Sequence, residues 1–137
     1  MNDIVGLQTI RNLDYTILLC DDIDSMRVFY TEVMGFEVHR EIPGRWIEMK
    51  VGSSLIALRL RSRPYDGASP DAATASLQFA FRVPPADVDA AAAQLADKGI
   101  ELLEPVADLQ PFGHRAFFFT DPEHNIIEIF ADIWPDT

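Results

Sequence analysis

The sequence predicts an α+β fold of two β-α-β-β-β modules whose curved mixed sheets face each other around a cleft. Three observations lead to this prediction. The two halves of the 137-residue chain repeat the same order of strand and helix patterns, the two helix patterns have the same apolar spacing, and both helices end at a glycine. Repetition of a whole order of elements indicates a duplicated structural unit. A chain of this length fits one domain with a substantial core.

The first helix is predicted directly after a strand at residues 13–20. Asp24 is of a type favoured at helix N-caps, and Gly35 stands where a left-handed C-cap is wanted. Between them the apolar residues recur at the i, i+3, i+4, i+7 and i+8 spacing of one buried helix face. These residues are Met26, Phe29, Tyr30, Val33 and Met34.

The second half of the chain repeats this pattern. A strand is predicted at residues 77–83, and Pro84 and Pro85 lead into the second helix, which Gly99 ends. The apolar spacing is the same as in the first helix, so this helix also buries one face. The residues of its stripe are Val88, Ala91, Ala92, Leu95 and Ala96.

Each helix is followed by three more predicted strands. In the first half they cover residues 37–41, 45–51 and 54–60, and in the second half 101–107, 115–120 and 125–131. We therefore interpret residues 1–137 as one domain, with a first module at about 10–61 and a second at about 75–133. The segment 62–74 is rich in Pro, Gly, Ser and Asp. It is either a plain connection, which we favour, or a flap over a site.

A four-stranded sheet with a single helix has one covered face and one bare face. The bare face must be buried, and the sister module is the obvious partner. Two curved sheets that face each other leave a cleft, and a cleft of this kind is where a small ligand binds.

The composition excludes several classes of function. A net charge of −11 argues against nucleic-acid binding, which depends on clustered Lys and Arg. No apolar run is long enough to cross a bilayer, and the first residues lack the basic start of a secretory signal. A single cysteine, Cys20, suits a reducing cytoplasm, and we expect it to be buried and inert. The acidic charge either favours a cationic ligand or serves solubility, and solubility is the simpler interpretation.

Three segments of the chain resemble a known family. They are Leu13-Asp14-Tyr15-Thr16, the first helix with its exit at Met34-Gly35-Phe36, and above all the run from Gly113 to Ile129. Together with the repeat, these segments resemble the vicinal oxygen chelate superfamily of glyoxalases, extradiol dioxygenases and bleomycin-resistance proteins. The resemblance covers about residues 10–133. It implies a fold rather than an activity, because the superfamily hosts unrelated chemistries and plain binders.

The resemblance also implies where a metal would bind. The metal enzymes of the superfamily hold their ion at four positions, which fall here on Tyr15, Ala57, Gln78 and Glu128. Ala57 has no donor atom, and a neutral tyrosine is a poor ligand for a divalent cation. Only Gln78 and Glu128 are plausible metal ligands, so the cofactor is either none or a divalent metal with additional ligands.

Glu128 lies within a run that reads as a buried strand. A carboxylate in such a place must be paired, hydrogen-bonded, metal-bound or protonated. One interpretation makes it a vestigial metal ligand or a catalytic general base. The other makes it a carboxylate that Tyr15 or Gln78 satisfies across the cleft, and the sequence leaves both open.

Four further residues are candidates for ligand binding, beside Tyr15 and Gln78. Trp46 either stacks on a flat ligand or, as we favour, packs in the core. Glu48 is predicted on the same strand face as Trp46 and is a candidate to contact a cationic ligand. Arg59 either reaches an anionic ligand or projects into solvent. His114 is an acid-base candidate at the cleft rim, although a lone loop histidine is usually a surface residue. His124 is expected to tolerate a left-handed turn conformation and to have no chemical role.

Three functions are compatible with these sequence features. The first is a metal-free small-molecule binder that sequesters an antibiotic or metabolite. The second is a metal-dependent lyase, isomerase or dioxygenase acting on a substrate with vicinal oxygens. The third is a structural or partner-binding domain. We rank them in this order. We further expect a cytoplasmic homodimer with a small-molecule ligand and neither nucleic-acid nor membrane partners, since relatives pair modules within or between chains.

Overall fold

A computed structural model describes residues 6–68 and 77–133 of the chain, and it confirms the predicted α+β architecture. Each module contains four strands and one α-helix. The elements of the first module are β1 (Tyr15–Cys20), α1 (Ile23–Val28), β2 (Glu37–Ile42), β3 (Trp46–Val51) and β4 (Ser54–Leu60). Those of the second are β5 (Gln78–Arg82), α2 (Val88–Asp97), β6 (Glu104–Leu109), β7 (His114–Thr120) and β8 (Ile126–Asp132).

The two sheets have the same topology, as the sequence repeat predicts. Their strand orders are β1-β4-β3-β2 and β5-β8-β7-β6. In each sheet the first and last strands of the module pair in parallel, and the other neighbours are antiparallel. The helix of each module provides the crossover that a parallel pair requires.

The two modules share one hydrophobic core on the helix side of both sheets. The first module contributes residues of β1, α1, β3 and β4, and the second contributes residues of α2, β7 and β8. Phe29 packs on Phe119 with ring centroids 6.3 Å apart, and Phe36 packs on Phe81 at 5.5 Å. Because side chains alternate along a strand, the opposite face of each sheet points away from this core.

The first helix begins two residues earlier than predicted. Its N-cap is Asp22 rather than Asp24, and the Asp22 carboxylate accepts a hydrogen bond from the backbone N–H of Ser25 at 3.1 Å. Asp24 instead lies in the first turn, where its negative charge interacts favourably with the positive end of the helix dipole. After Val28 the chain continues as a π-helical turn, Phe29–Val33, which ends before Gly35 at a φ of 77°.

The predicted strand β6 begins three residues late, at Glu104 instead of residue 101. The cause is the C-terminal end of α2. The N–H of Ile100 still bonds to the carbonyl of Leu95, so the residues that follow the helix are not yet free to pair as a strand. Leu95 and Val88 of the predicted stripe are buried, whereas Ala96 is exposed. The other strand ends lie within two residues of the prediction, and β4 matches it at both ends.

The described part of the connection between the modules is anchored to the first sheet. A short 3-10 helix, Pro64–Asp66, follows β4, and the Asp66 carboxylate accepts two hydrogen bonds from Arg59. This supports a plain connection over residues 62–68, and the rest of the predicted linker, 69–74, lies outside the described residues. Within the described ranges no helix is both long and apolar enough to cross a membrane.

The turn between β7 and β8 places His124 at a φ of 71°, as predicted. A left-handed conformation costs a non-glycine residue about 1–2 kcal/mol, and glycine avoids this at an entropic cost of about 0.5–1 kcal/mol. We therefore expect His124→Gly to raise the free energy of unfolding by about 0.5–1 kcal/mol in urea titrations. His124→Val is the control and should lower it. Equal stability of both variants would contradict this account of the turn.

Candidate functional site

The outward face of the first sheet carries most of the predicted site residues. The strand register pairs Trp46 with Arg59 and Glu48 with Ala57, so these four side chains lie on one face. Tyr15 pairs with Leu55 and lies on the same face. Trp46 is half-buried there and outside the core, so the favoured interpretation of Trp46 as a core residue was wrong. The predicted common face of Trp46 and Glu48 is confirmed.

Glu48 is the centre of a polar network on this face. Its side chain is 4% exposed, and both carboxylate oxygens accept from Nε of Arg40 at 3.2 Å. The indole N–H of Trp46 donates to Oε1 at 3.0 Å, and Arg40 also donates to the Tyr15 hydroxyl at 3.3 Å. His39 Nε2 lies 4.0 Å from Oε2. Glu48 therefore has an internal cation as its partner.

The ionisation of Glu48 follows from these contacts. Burial works to raise its pKa, but hydrogen bonds from Arg40 and Trp46 and the charge of Arg40 outweigh burial, so the pKa is lowered. The carboxylate is therefore charged at neutral pH and satisfied within the protein. This makes Glu48 a positioning group for Arg40 and Trp46.

Arg40 was not identified from the sequence. Simple alternation along β2 places it on the same face as Val38, which points to the core. The register of β2 against β3 shifts between Val38 and Arg40, because a β-bulge lies there. The bulge turns Arg40 onto the outward face opposite Glu48. A bulge of this kind has no dependable signature in one sequence.

Arg59 is held by the connection that follows its strand. Its guanidinium makes bonds of 2.7 and 3.0 Å to Asp66, and its side chain is 15% exposed. The Asp66 carboxylate also accepts from the backbone N–H groups of Ser62 and Arg63. The hydrogen bonds from Arg59 and from the two backbone groups lower the pKa of Asp66 strongly. Arg59 is therefore largely buried and paired with Asp66, and it does not project freely into solvent.

The outward face of the second sheet carries a second group. Gln78 donates through Nε2 to Oε1 of Glu128 at 3.1 Å, and Glu128 is only half-buried. Glu128 is therefore satisfied by Gln78, as one interpretation expected, but from a neighbouring strand of its own sheet. Because Glu128 is partly exposed, its carboxylate is not a bare buried charge.

His114 lies at the first position of β7, and the expectation of a loop position was wrong. Its ring stacks on Phe130 with centroids 4.6 Å apart, and Nε2 lies 3.2 Å from Asp132. The guanidinium of Arg82 covers the same Phe130 ring at 4.8 Å and forms an ion pair with Asp132. His114 is therefore part of a packed polar cluster at one end of the second outward face.

The two groups of candidate residues lie on separate sheets. Hydrogen bonds join the modules elsewhere, from the Tyr30 hydroxyl to Asp121 and from the N–H groups of Asp21 and Asp22 to Glu123. Lys98 Nζ also donates to the carbonyls of Glu32 and Val33. Across the described ranges, no hydrogen bond or ion pair joins the Tyr15–Trp46–Glu48 group to the Gln78–Glu128 group.

The donor set fits a catalytic metal poorly. Ala57 offers no atom, and Glu48, which lies opposite Ala57, is already occupied by Arg40. Within residues 6–68 and 77–133 no cluster of three or more His, Cys, Asp or Glu side chains has the geometry to hold an ion. Catalytic sites usually supply three strong protein ligands, and here Glu128 alone is one.

Comparison with known proteins agrees with the two-module topology. The model of the Glyoxalase/Bleomycin resistance protein/Dioxygenase superfamily matches residues 12–129. The chain belongs to this superfamily. The match spans both modules, so the family assignment rests on the whole repeat, and the predicted resemblance is confirmed. None of the curated proteins matches the chain in sequence.

Solved structures of superfamily proteins share the fold. A glyoxalase/bleomycin resistance protein/dioxygenase from Nocardioides is 22% identical with a TM-score of 0.78, over 94% of this chain and 88% of that one. Lactoylglutathione lyase from Agrobacterium tumefaciens is 23% identical with a TM-score of 0.71, over 93% and 98%. TioX from Micromonospora sp. ML1 is 21% identical with a TM-score of 0.70, over 89% and 99%. At these identities the likeness establishes the superfamily fold alone.

Proposed function

We propose that this protein binds a small organic molecule and needs no metal to do so, as a sequestering protein for an antibiotic or a metabolite. The observation that carries the proposal is the Arg40–Glu48 pair. Beside Tyr15 and Ala57, the two family metal positions of the first sheet, the chain has a guanidinium that is held by a buried carboxylate. A fixed guanidinium recognises ligand oxygens by hydrogen bonds without a metal.

The surroundings of this pair suit recognition of an organic molecule. Tyr15 and Trp46 pack edge to face with centroids 6.3 Å apart, and both are half-buried. Ile17 and Ile42 on the same face are 42% and 54% exposed. An apolar, aromatic surface with a few oriented polar groups is the usual composition of a small-molecule site.

The proposal includes a homodimer in which a second copy covers each outward face. Tyr15 and Ala57 lie on one sheet and Gln78 and Glu128 on the other, so a two-fold axis would set the first pair against the second pair of the partner. The exposed apolar residues of the first face give a physical reason for such pairing. Equilibrium sedimentation tests it, and a monomer at micromolar concentration would count against it.

A metal-dependent lyase, isomerase or dioxygenase is the second candidate. The half-buried Glu128 favours it, because this carboxylate is accessible and, among residues 6–68 and 77–133, its one hydrogen-bond partner is the Gln78 amide. Additional ligands would have to come from Glu48, from His114 or from a second subunit. In that case Glu128→Ala should abolish metal binding.

Elemental analysis after incubation with Mn, Fe, Co, Ni and Zn and desalting separates the two candidates. For the binder we expect no stoichiometric metal and no rise in the melting temperature when these metals are added, since only ligands that bind the folded state stabilise it. The matched control is Glu128→Gln, which keeps the shape of the side chain. One metal per protomer in the wild type, lost in Glu128→Gln, would overturn the metal-free proposal.

A further inference from the structure

A second feature of the first sheet is a pocket of about 270 Å³ where β3 begins and β4 ends. Three arginines line it, namely Arg45, Arg59 and Arg63, together with Ile42, Trp46, Leu60 and Ser62. The chain has only 11 basic residues against 22 acidic ones, so three arginines at one pocket are a marked local excess of positive charge.

The charges around the pocket are only partly neutralised. Arg59 is paired with the buried Asp66, as described above. Arg45 and Arg63 have no carboxylate within ion-pair distance among residues 6–68 and 77–133, and the Arg63 guanidinium instead donates to the Tyr65 hydroxyl at 2.8 Å. Nearby Arg61 lies 3.4 Å from Asp21. The pocket wall therefore carries more positive than negative charge.

The Asp66 carboxylate gives the pocket a fixed shape. By binding Arg59 and the backbone N–H groups of Ser62 and Arg63, it holds the connection against the end of the sheet. The guanidinium of Arg59 and the backbone of the wall are thus positioned before any ligand binds. Preorganised donors lose less conformational entropy on binding.

We infer that this pocket binds the carboxylate of an aromatic acid, with Arg45 and Arg63 facing the carboxylate and the ring lying against Trp46. Guanidinium groups match the planar geometry of a carboxylate and bind it with two parallel hydrogen bonds. Trp46 and Ile42 supply the apolar wall that a flat ring requires. This inference rests on the proposed binding function and specifies its ligand class.

The acidic net charge does not oppose such a ligand. At physiological salt, charges separated by more than about 8 Å are largely screened. The charged groups that contact the ligand therefore decide whether an anionic or a cationic ligand is preferred. The alternative of a cationic ligand, which ranked below solubility as the interpretation of the net charge of −11, considered only the total charge. The local arrangement of arginines favours the opposite sign.

Isothermal titration with three probes of the same shape tests the inference. They are 1-naphthoate, the neutral 1-naphthalenemethanol and the cationic 1-naphthylmethylammonium. We expect 1-naphthoate to bind about ten-fold or more tightly than the other two, and its affinity to fall as NaCl is added. The variant is Arg45→Gln with Arg63→Gln, because Arg59 is needed to hold Asp66. We expect it to lose this advantage.

The control is Arg11→Gln, an exposed residue outside the pocket, which should retain the affinity of the wild type. Unchanged melting temperatures would show that all variants fold. No binding of 1-naphthoate, tighter binding of the cationic probe, or full affinity in the double variant would each overturn the inference. If a neutral or cationic probe binds and Trp46→Ala abolishes that binding, the proposal of small-molecule binding still holds although the carboxylate inference fails. The failure of the inference can therefore be told apart from the failure of the proposed function.

Discussion

Asp121→Ala is expected to lower the free energy of unfolding by about 3–5 kcal/mol, because it removes the centre of a buried network. Asp121 is 3% exposed. Its carboxylate accepts from the Tyr30 hydroxyl at 2.7 Å, from the backbone N–H groups of Glu123 and Asn125 at 2.9 and 3.0 Å, and from the Asn125 amide at 2.8 Å. Alanine would leave all of these donors without their acceptor.

The loss is large because the network joins the modules. Tyr30 belongs to the first module and is fully buried, so its hydroxyl cannot turn to water when Asp121 is removed. Burial and the charge and hydrogen bond of Asp121 raise the pKa of Tyr30, which therefore stays a neutral donor. An unpaired buried donor costs its full desolvation free energy.

Urea denaturation at neutral pH measures this effect. The control is Asp87→Ala, an exposed aspartate at the start of α2 whose side chain makes no capping hydrogen bond, and we expect a change within about 0.5 kcal/mol. Tyr30→Phe should cost less than Asp121→Ala, and the double variant should cost less than the sum, because each change removes the partner of the other. A loss below about 1 kcal/mol in Asp121→Ala would contradict the buried network.

Alkaline pH is expected to destabilise the protein through Cys20. This thiol is fully buried, as predicted, and burial, together with the nearby carboxylates of Glu123 and Asp121, raises its pKa from 9.0 to about 12. The group is an acid whose charged form is disfavoured in the folded state. Its contribution to stability is therefore complete below pH 9 and is lost as the pH rises from 9 towards 12.

The size of the effect follows from this interval. Between pH 8 and pH 10.5 the unfolded thiol ionises while the folded thiol stays neutral, which removes about 2 kcal/mol of stability. Cys20→Ser lacks a group that ionises in this range and serves as the comparison. We expect its stability to fall by about 2 kcal/mol less over the same interval in urea titrations. Equal pH profiles of the two proteins would show that the thiol does not control this loss.

The repeat and the helix faces could be predicted because they depend on local rules. Apolar spacing places Met26, Phe29 and Tyr30 on one helix face in the structure, and Gly35 has the left-handed φ that its position predicts. Strand alternation likewise placed Trp46 and Glu48 on one face. These properties are contained within a few neighbouring residues, so the sequence displays them directly.

The candidate site was predicted only in part. The family positions Tyr15, Gln78 and Glu128 lie on outward sheet faces, but the partner of Glu48 was missed. The bulge in β2 reverses the face on which Arg40 lies, and a single sequence does not reveal a bulge. The pocket of three arginines was also missed, because Asp66 folds the connection back onto Arg59 to form its wall.

By itself the sequence determined the two-module architecture, the superfamily and the faces on which most candidate residues lie. Only the tertiary structure decided which faces of the sheets pack into the shared core and which charged side chains contact each other. Contacts such as that of Tyr30 with Asp121 join residues 91 positions apart. Their formation depends on how the whole chain packs, whereas periodicity and turn residues act within a few positions. For this reason the sequence indicated a net acidic protein, and the structure revealed a basic pocket in it.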